Sequence, residues 1–348
     1  MIYPYKYLDN HRIEKLHKYL DDFFKKMFFE SNSTFDKNIL VEENFKDIFD
    51  EYEKVSKPLK SIFSKYQKIP QSSKQKVLEA FEKNNMIEDI CSNKIEPITY
   101  LELDEVIKTE LYDFYKSLWE TVLSYKKVVD NGCSVTTHFQ EFTDSLHQDI
   151  LICPFCGLEN LLSKGDAEDG KRDDYDHYLP KKLYPFNSVN FKNLVPMCHR
   201  CNSKYKGQKN TVADKQKNKR KVFYPYDMSL FDNKISIKID TEEEELSDKN
   251  RWNIIIDSSL DYSEELKSWD DIFDIKQRYK NRIVQLERTW KERLLKKYRR
   301  EKKRGNFNKE DFEEYMLDDI QVLEQVNGII QLAYYQYFFD NVFPLMEE

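Results

Sequence analysis

The chain has 348 residues with a formal net charge of −7, and it carries 23 Tyr and 23 Phe but only 7 Gly, 10 Pro and 6 Cys. That length can bury one large core or two ordinary ones, and so few turn formers favour helix over a turn-rich β architecture. No apolar run approaches membrane-spanning length, no signal-peptide core follows Met1, and the cysteine pattern is not a disulfide framework, so the expectation is a cytoplasmic protein without a membrane segment.

Residues 1 to 147 read as a helical domain. Ile13, Leu16, Leu20, Phe23, Phe24 and Met27 recur at helical spacing, as do Phe45, Ile48, Phe49 and Tyr52. Pro58, Pro70 and Pro97 punctuate the run, each disfavouring helix in the residue before it. From Asp104 one long amphipathic segment carries Ile107, Leu111, Phe114, Leu118, Val122 and Tyr125 towards a turn at Asp130-Asn131-Gly132, and a short helix from Val135 to His147 follows. His11, His17, His138 and His147 share no metal-ligand spacing, and no role is assigned to them.

The centre, residues 148 to 227, holds the chemistry. Cys153 and Cys156 make one Cys-x-x-Cys knuckle, and Cys198 and Cys201 make a second. Two such pairs in turn-forming surroundings suit one tetrahedral structural zinc, with Cys91 and Cys133 left outside any pattern. Between the knuckles lie a Gly- and Asp-rich loop from Ser163 to Asp174, the adjacent pair Asp176-His177, and Asn193; Asn202 follows the last cysteine. Residues 192 to 221 hold ten Lys or Arg against the single acid Asp214, and residues 288 to 304 hold ten against Glu292 and Glu301, so net charges of +9 and +8 sit on a body of −24. Basic surfaces of this kind gain from counterion release at a phosphate backbone, although a solvated helix face reads the same way.

Residues 228 to 348 begin with a small antiparallel β pair, Lys234–Asp240 against Trp252–Asp257, joined through the acidic run Glu242–Glu245. A helical region then carries the stripe Ile272, Ile275, Tyr279, Ile283, Leu286, Trp290, Leu294 and Tyr298, stops near Gly305, and restarts with Asn308 as N-cap. Ile329 to Phe343 is aromatic on several faces and should be buried or at an interface.

The motif YDHYLPK followed by Asn193 and Cys-His-Arg-Cys-Asn resembles the HNH nuclease family in its H-N-N form, strongly over residues 150 to 210 and weakly at Phe223-Tyr224-Pro225-Tyr226-Asp227. The DHYLPK segment also resembles HNH subunits of bacterial anti-phage systems such as Septu and the retron-associated ATPase pairs. The fold so implied is mainly α, with helical N- and C-terminal regions around an embedded ββα-metal core and a four-cysteine zinc. The resemblance makes His177 the general base, a task suited to a neutral imidazole, with Asp176 and Asn202 holding a catalytic Mg2+ or Mn2+ through oxygen. It has Asn193 support the His loop by bonding either the ring or the backbone facing it. Lys181, Lys204, Lys206 and Lys209 are placed at phosphates, and His199 could touch phosphate but is better read as exposed. The implied activity is hydrolysis of phosphodiester bonds, with DNA favoured over RNA as partner. No Gly-x-x-x-x-Gly-Lys loop occurs in the chain, so any ATPase would be a regulatory partner in trans. The alternative is a zinc-stapled nucleic-acid-binding module without catalysis.

Overall fold

A computed structural model describes residues 1–30, 34–146, 152–162, 172–232, 235–241, 252–305, 308–320, 322 and 324–344. The chain is mainly α. Its N-terminal helices are α1 (Lys15–Phe29), α2 (Lys37–Leu40), α3 (Lys46–Glu51), α4 (Glu53–Lys68), α5 (Gln71–Asn84), α6 (Ile87–Cys91), α7 (Glu105–Glu120), α8 (Lys126–Asn131) and α9 (Val135–Ser145). Strands β1 (Asp174–His177) and β2 (Leu194–Met197) pair antiparallel with His177 opposite Leu194, and the helical turn Arg200–Lys206 completes a ββα order. Strands β3 (Ile235–Thr241) and β4 (Trp252–Ser258) form the second antiparallel pair. Helices α10 (Ser263–Phe273), α11 (Ile275–Arg304), α12 (Lys309–Asp318) and α13 (Gly328–Tyr337) finish the chain. The acidic run 242–245, His147 and most of the loop 163–174 lie outside the described residues. No helix among the described residues is long and apolar enough to cross a membrane.

The local signals explain most of these limits. In α1 the buried residues are Leu16, Leu20, Phe23, Phe24 and Met27, one face of a 3.6-residue period. The Asp104 side chain caps α7 by accepting from Val106 N, and Asn308 caps α12 by accepting from Glu310 N and Asp311 N. Gly305, at φ 87°, ends α11 in the left-handed conformation that a residue without Cβ adopts freely.

Three expectations shift. Pro58 lies inside α4 instead of interrupting the helical run. The carbonyl it leaves without a partner, that of Lys54, is on an exposed first turn where water can take the bond, while Val55, Leu59, Ile62 and Phe63 bury the other face. The long segment from Asp104 stops at Thr121, at φ −138°, and resumes as a 3-10 turn and α8. The C-terminal stripe spans two helices, because Asp274 at φ 56° breaks the chain between Ile272 and Ile275, and the Asp270 side chain accepts from Lys276 N at the junction.

The apolar interior falls into two clusters. One joins α1, α3, α4, α5 and α7, and also takes in Phe186 and Val189 from between β1 and β2. The other joins the cysteine knuckles, both sheets, α10 to α13 and the extended first residues Met1, Ile2, Tyr3 and Tyr5.

Candidate active site and zinc centre

The first knuckle is a tight turn in which Cys156 N and Gly157 N both donate to the Cys153 carbonyl. Gly157 has φ 63°, a left-handed conformation that strains any residue with a Cβ, and a Cβ there would come within 2.5 Å of Ile2 Cδ1, so the tip of that side chain would have to move as well. Cys198 follows β2 directly, and Cys201 sits in the helical turn after it. All four cysteines are buried, and their sulfurs lie within 4.8 Å of one another, with Cys156 and Cys198 at 3.9 Å. A tetrahedral zinc with bonds of about 2.3 Å sets its sulfurs about 3.8 Å apart, so the four thiols match a structural zinc in number, type and size.

The first residues of the chain and helices α10 and α11 clasp this centre from two sides. Ile2 N donates to Pro154 O and the Tyr3 hydroxyl to Ile152 O. From the other side Trp269 Nε1 donates to Phe155 O, the Tyr279 hydroxyl to Cys156 O, and Arg278 Nη1 to Cys201 Sγ at 3.3 Å while its guanidinium stacks 4.0 Å from the Tyr205 ring centre. A four-thiolate zinc site would be net negative, and the buried Arg278 would supply it with matching charge as well as orientation. Asp173 ties the two knuckle flanks together, accepting from Leu162 N and His199 N.

At the end of β1 the polar residues converge. His177 is buried, and its Nε2 lies 2.9 Å from the Ser188 carbonyl oxygen. A carbonyl only accepts, so Nε2 carries the hydrogen and the neutral ring keeps its lone pair on Nδ1, which makes no hydrogen bond among the described residues. Burial, helped by the Lys181 and Lys206 charges and opposed by the Ser188 bond, pushes the His177 pKa down to about 3, so the ring stays neutral at ordinary pH. Asp176 is buried beside it with Oδ2 2.7 Å from Lys206 Nζ, and Lys206 Nζ also donates to the His177 carbonyl. Burial raises the Asp176 pKa, against the pull of Lys206. The approach of Lys206 leaves Asp176 Oδ2 without a well-formed hydrogen bond, and the Asn202 side chain has none among the described residues.

Asn193 is fully buried and clamps the loop after His177. Its Oδ1 accepts from Leu179 N, its Nδ2 donates to Leu179 O and to Asn187 Oδ1, and its carbonyl accepts from Tyr178 N. Of the two partners open in the sequence, backbone and ring, the backbone is the one found.

Over 37 residues, 11% of this chain and 14% of the relative, the sequence is 49% identical to the Septu protein PtuB of Bacillus thuringiensis. The aligned stretch is thus a small part of either protein. No family model matches the chain, and no solved structure does.

Asp176, His177, Asn193 and the four cysteines therefore come together around one ββα unit. Lys206 corrects an expectation: it is 1% exposed and spent on Asp176 and the His177 carbonyl, so it braces the site from within instead of facing a phosphate. Lys204 and His199 are exposed, whereas Lys181 pairs with Glu120 at 3.1 Å and Lys209 Nζ reaches the carbonyls of Asp271 and Ile272 at the end of α10. Ser188, Trp119, Arg278 and Asp173 also reach the site or the cysteine centre, and no motif in the sequence marks them. Of these, Asp173 lies directly before the Asp-Tyr-Asp-His strand and so has the nearest signal in the sequence.

Proposed function

We propose that the chain is a metal-dependent HNH endonuclease that hydrolyses phosphodiester bonds of nucleic acid, DNA in preference to RNA, as the effector of a bacterial anti-phage defence system. The observation that carries this reading is the neutral His177, its Nε2 hydrogen committed to Ser188 and its Nδ1 lone pair left to accept a proton from water. A base must have a free lone pair and be aimed, and the bond from Nε2 to the Ser188 carbonyl leaves Nδ1 as the accepting nitrogen and fixes the direction of the ring. Asp176 and Asn202 would hold the divalent ion: a buried carboxylate oxygen that meets the Lys206 ammonium without a well-formed hydrogen bond, and an amide with no hydrogen bond among the described residues, are the hard oxygen donors that Mg2+ or Mn2+ takes. When bound, that ion supplies positive charge at the scissile phosphate and its leaving oxygen.

Within the chain, Lys206 compensates Asp176 and fixes the His177 carbonyl, and Asn193 holds Leu179 so that the residues after the base cannot drift. Lys181, Lys204 and Lys209 are the proposed phosphate contacts, and a regulatory ATPase is the proposed protein partner. The partial likeness to a Septu protein supports the defence role. One observation favours the alternative of a zinc-stapled binding module: Lys206 already stands as the cation beside Asp176. The two readings separate on divalent ion binding. Manganese titrated into the zinc-loaded protein should bind the wild type and not Asp176→Asn, with cleavage of supercoiled plasmid appearing in step. Binding to neither protein, with no cleavage, would leave the binding module.

A further inference from the structure

Resting on the reading of His177 as the base, we infer that helix α7, in the N-terminal helical region, is the positioning element for that base and acts on it through Ser188 and Trp119. The path is short. The Ser188 hydroxyl donates to the Tyr115 carbonyl of α7 at 2.8 Å, and the Ser188 carbonyl accepts from His177 Nε2 at 2.9 Å. One helical turn past Tyr115, the Trp119 ring meets the His177 ring edge to face, with centroids 4.7 Å apart and an interplanar angle of 81°. The next residue, Glu120, pairs with Lys181 on the loop beyond the base.

The turn that carries Ser188 belongs to the N-terminal core, although the sequence places it between the two strands of the nuclease unit. Phe186 and Val189 are buried in that core, with the Phe186 ring 5.5 Å from Phe81 and 5.3 Å from Tyr115. Asn187 Nδ2 donates to Asn84 O, and Asn190 Nδ2 to Asn85 Oδ1, both at the end of α5. His177 thus rides on one core while the hydrogen-bond partner of its ring, among the described residues, is fastened to the other.

Consequences follow from imidazole chemistry. The terminal torsion of a histidine side chain is broad, and its two neutral tautomers are close in energy, so the acceptor opposite Nε2 selects both ring orientation and the nitrogen that keeps the lone pair. Removing the Ser188 anchor or the Trp119 edge leaves the base present but unaimed. Misplacement of this kind appears in kcat instead of KM, because substrate binding does not use the ring.

The test is a set of double-variant cycles read by plasmid cleavage. Ser188→Ala and Trp119→Ala should each lower kcat at least tenfold with KM within twofold, and Trp119→Phe should recover most of the rate. In a His177→Ala background neither should cost more than a further twofold, since a residue acting through the base has nothing left to act on. Equal losses in both backgrounds overturn the inference and leave the nuclease reading standing. A wild-type chain that does not cut sinks the nuclease reading instead, and ring nitrogen spectra of selectively labelled histidine then decide the positioning. A single Nε2–H form for His177 that becomes mixed in Ser188→Ala upholds it, and an unchanged spectrum overturns it. Should Ser188→Ala fail to fold, Trp119→Ala carries the same comparison, because Trp119 is half-buried and its loss strands no buried polar group.

Discussion

Asn193 and Asn202 are the two asparagines assigned to the site, and replacing each by alanine should separate holding from reacting. The Asn193 side chain is 0% exposed and makes three hydrogen bonds, to Leu179 N, Leu179 O and Asn187 Oδ1, at 2.7 to 2.9 Å. Asn193→Ala strands all three partner groups away from water. At roughly 1–3 kcal/mol for each unsatisfied buried group the loss is on the order of 3–6 kcal/mol after partial relaxation, a large share of the about 5–15 kcal/mol that keeps a domain folded. Asn202→Ala removes a half-buried side chain with no hydrogen bond among the described residues, so its stability should stay within about 0.5 kcal/mol of wild type. Urea unfolding of the zinc-loaded proteins, followed by tryptophan fluorescence, measures both. Cleavage should be impaired in both, in Asn193→Ala because the His loop loosens and in Asn202→Ala because a proposed metal ligand is gone. Equal and small stability changes in the two variants would refute the clamp.

Other outcomes follow from the same geometry. Cys198→Ser should lose its zinc and become insoluble, since a structural zinc contributes on the order of 10 kcal/mol; a zinc-free wild type together with a normally active Cys198→Ser would sink the four-cysteine centre. Lys204→Gln should flatten the salt dependence of DNA binding by about one contact's slope without touching stability. Lys206→Met should instead destabilise by about 3–5 kcal/mol through the unpaired buried Asp176, with recovery in the Asp176→Asn/Lys206→Met double variant; the reverse pattern would put Lys206 in solvent. His138 is 3% exposed, bonded to the Tyr175 hydroxyl, and pushed down to about 3, chiefly by burial and then by His11. The unfolded chain therefore takes up that proton first, so the stability is whole above pH about 6.5 and drains at up to about 1.4 kcal/mol per unit as pH falls towards 3. His138→Gln should flatten the decline in pH-dependent melting, and an unaltered decline would assign it elsewhere.

What was legible in the sequence was local. Knuckle spacing located the cysteines, period-two alternation located β3 and a β-prone run located β4, and Gly305 and Asn308 set the end of α11 and the start of α12 because caps and turns are decided within a few residues. The adjacency of Asp176 and His177, with asparagines at matching offsets, located the candidate site. What the sequence did not carry was contact between distant segments. Nothing in the local pattern says that Phe186 and Val189 plug the N-terminal core, that Trp119 meets His177, or that the aliphatic reach of Lys206 folds it inward onto Asp176. A lysine two residues from an exposed one reads the same in a motif, and only packing separates the brace from the surface contact. Asp274 was missed for a related reason: an apolar stripe at helical spacing runs through the break, because the two helices turn their buried faces to one core.

The nuclease reading itself meets its most direct test in His177→Ala. Among the described residues the ring makes one hydrogen bond and one aromatic contact, so its removal should leave zinc content, fold and DNA affinity near wild type. Supercoiled plasmid incubated with Mg2+ and each purified protein, followed by the appearance of nicked and linear forms, gives the rate. The expected result is cutting by the wild type and a fall of about 10²–10⁴-fold in His177→Ala, the range for loss of a general base. Cutting by His177→Ala at the wild-type rate, in a preparation free of contaminating nuclease, would contradict the assignment of catalysis to this site.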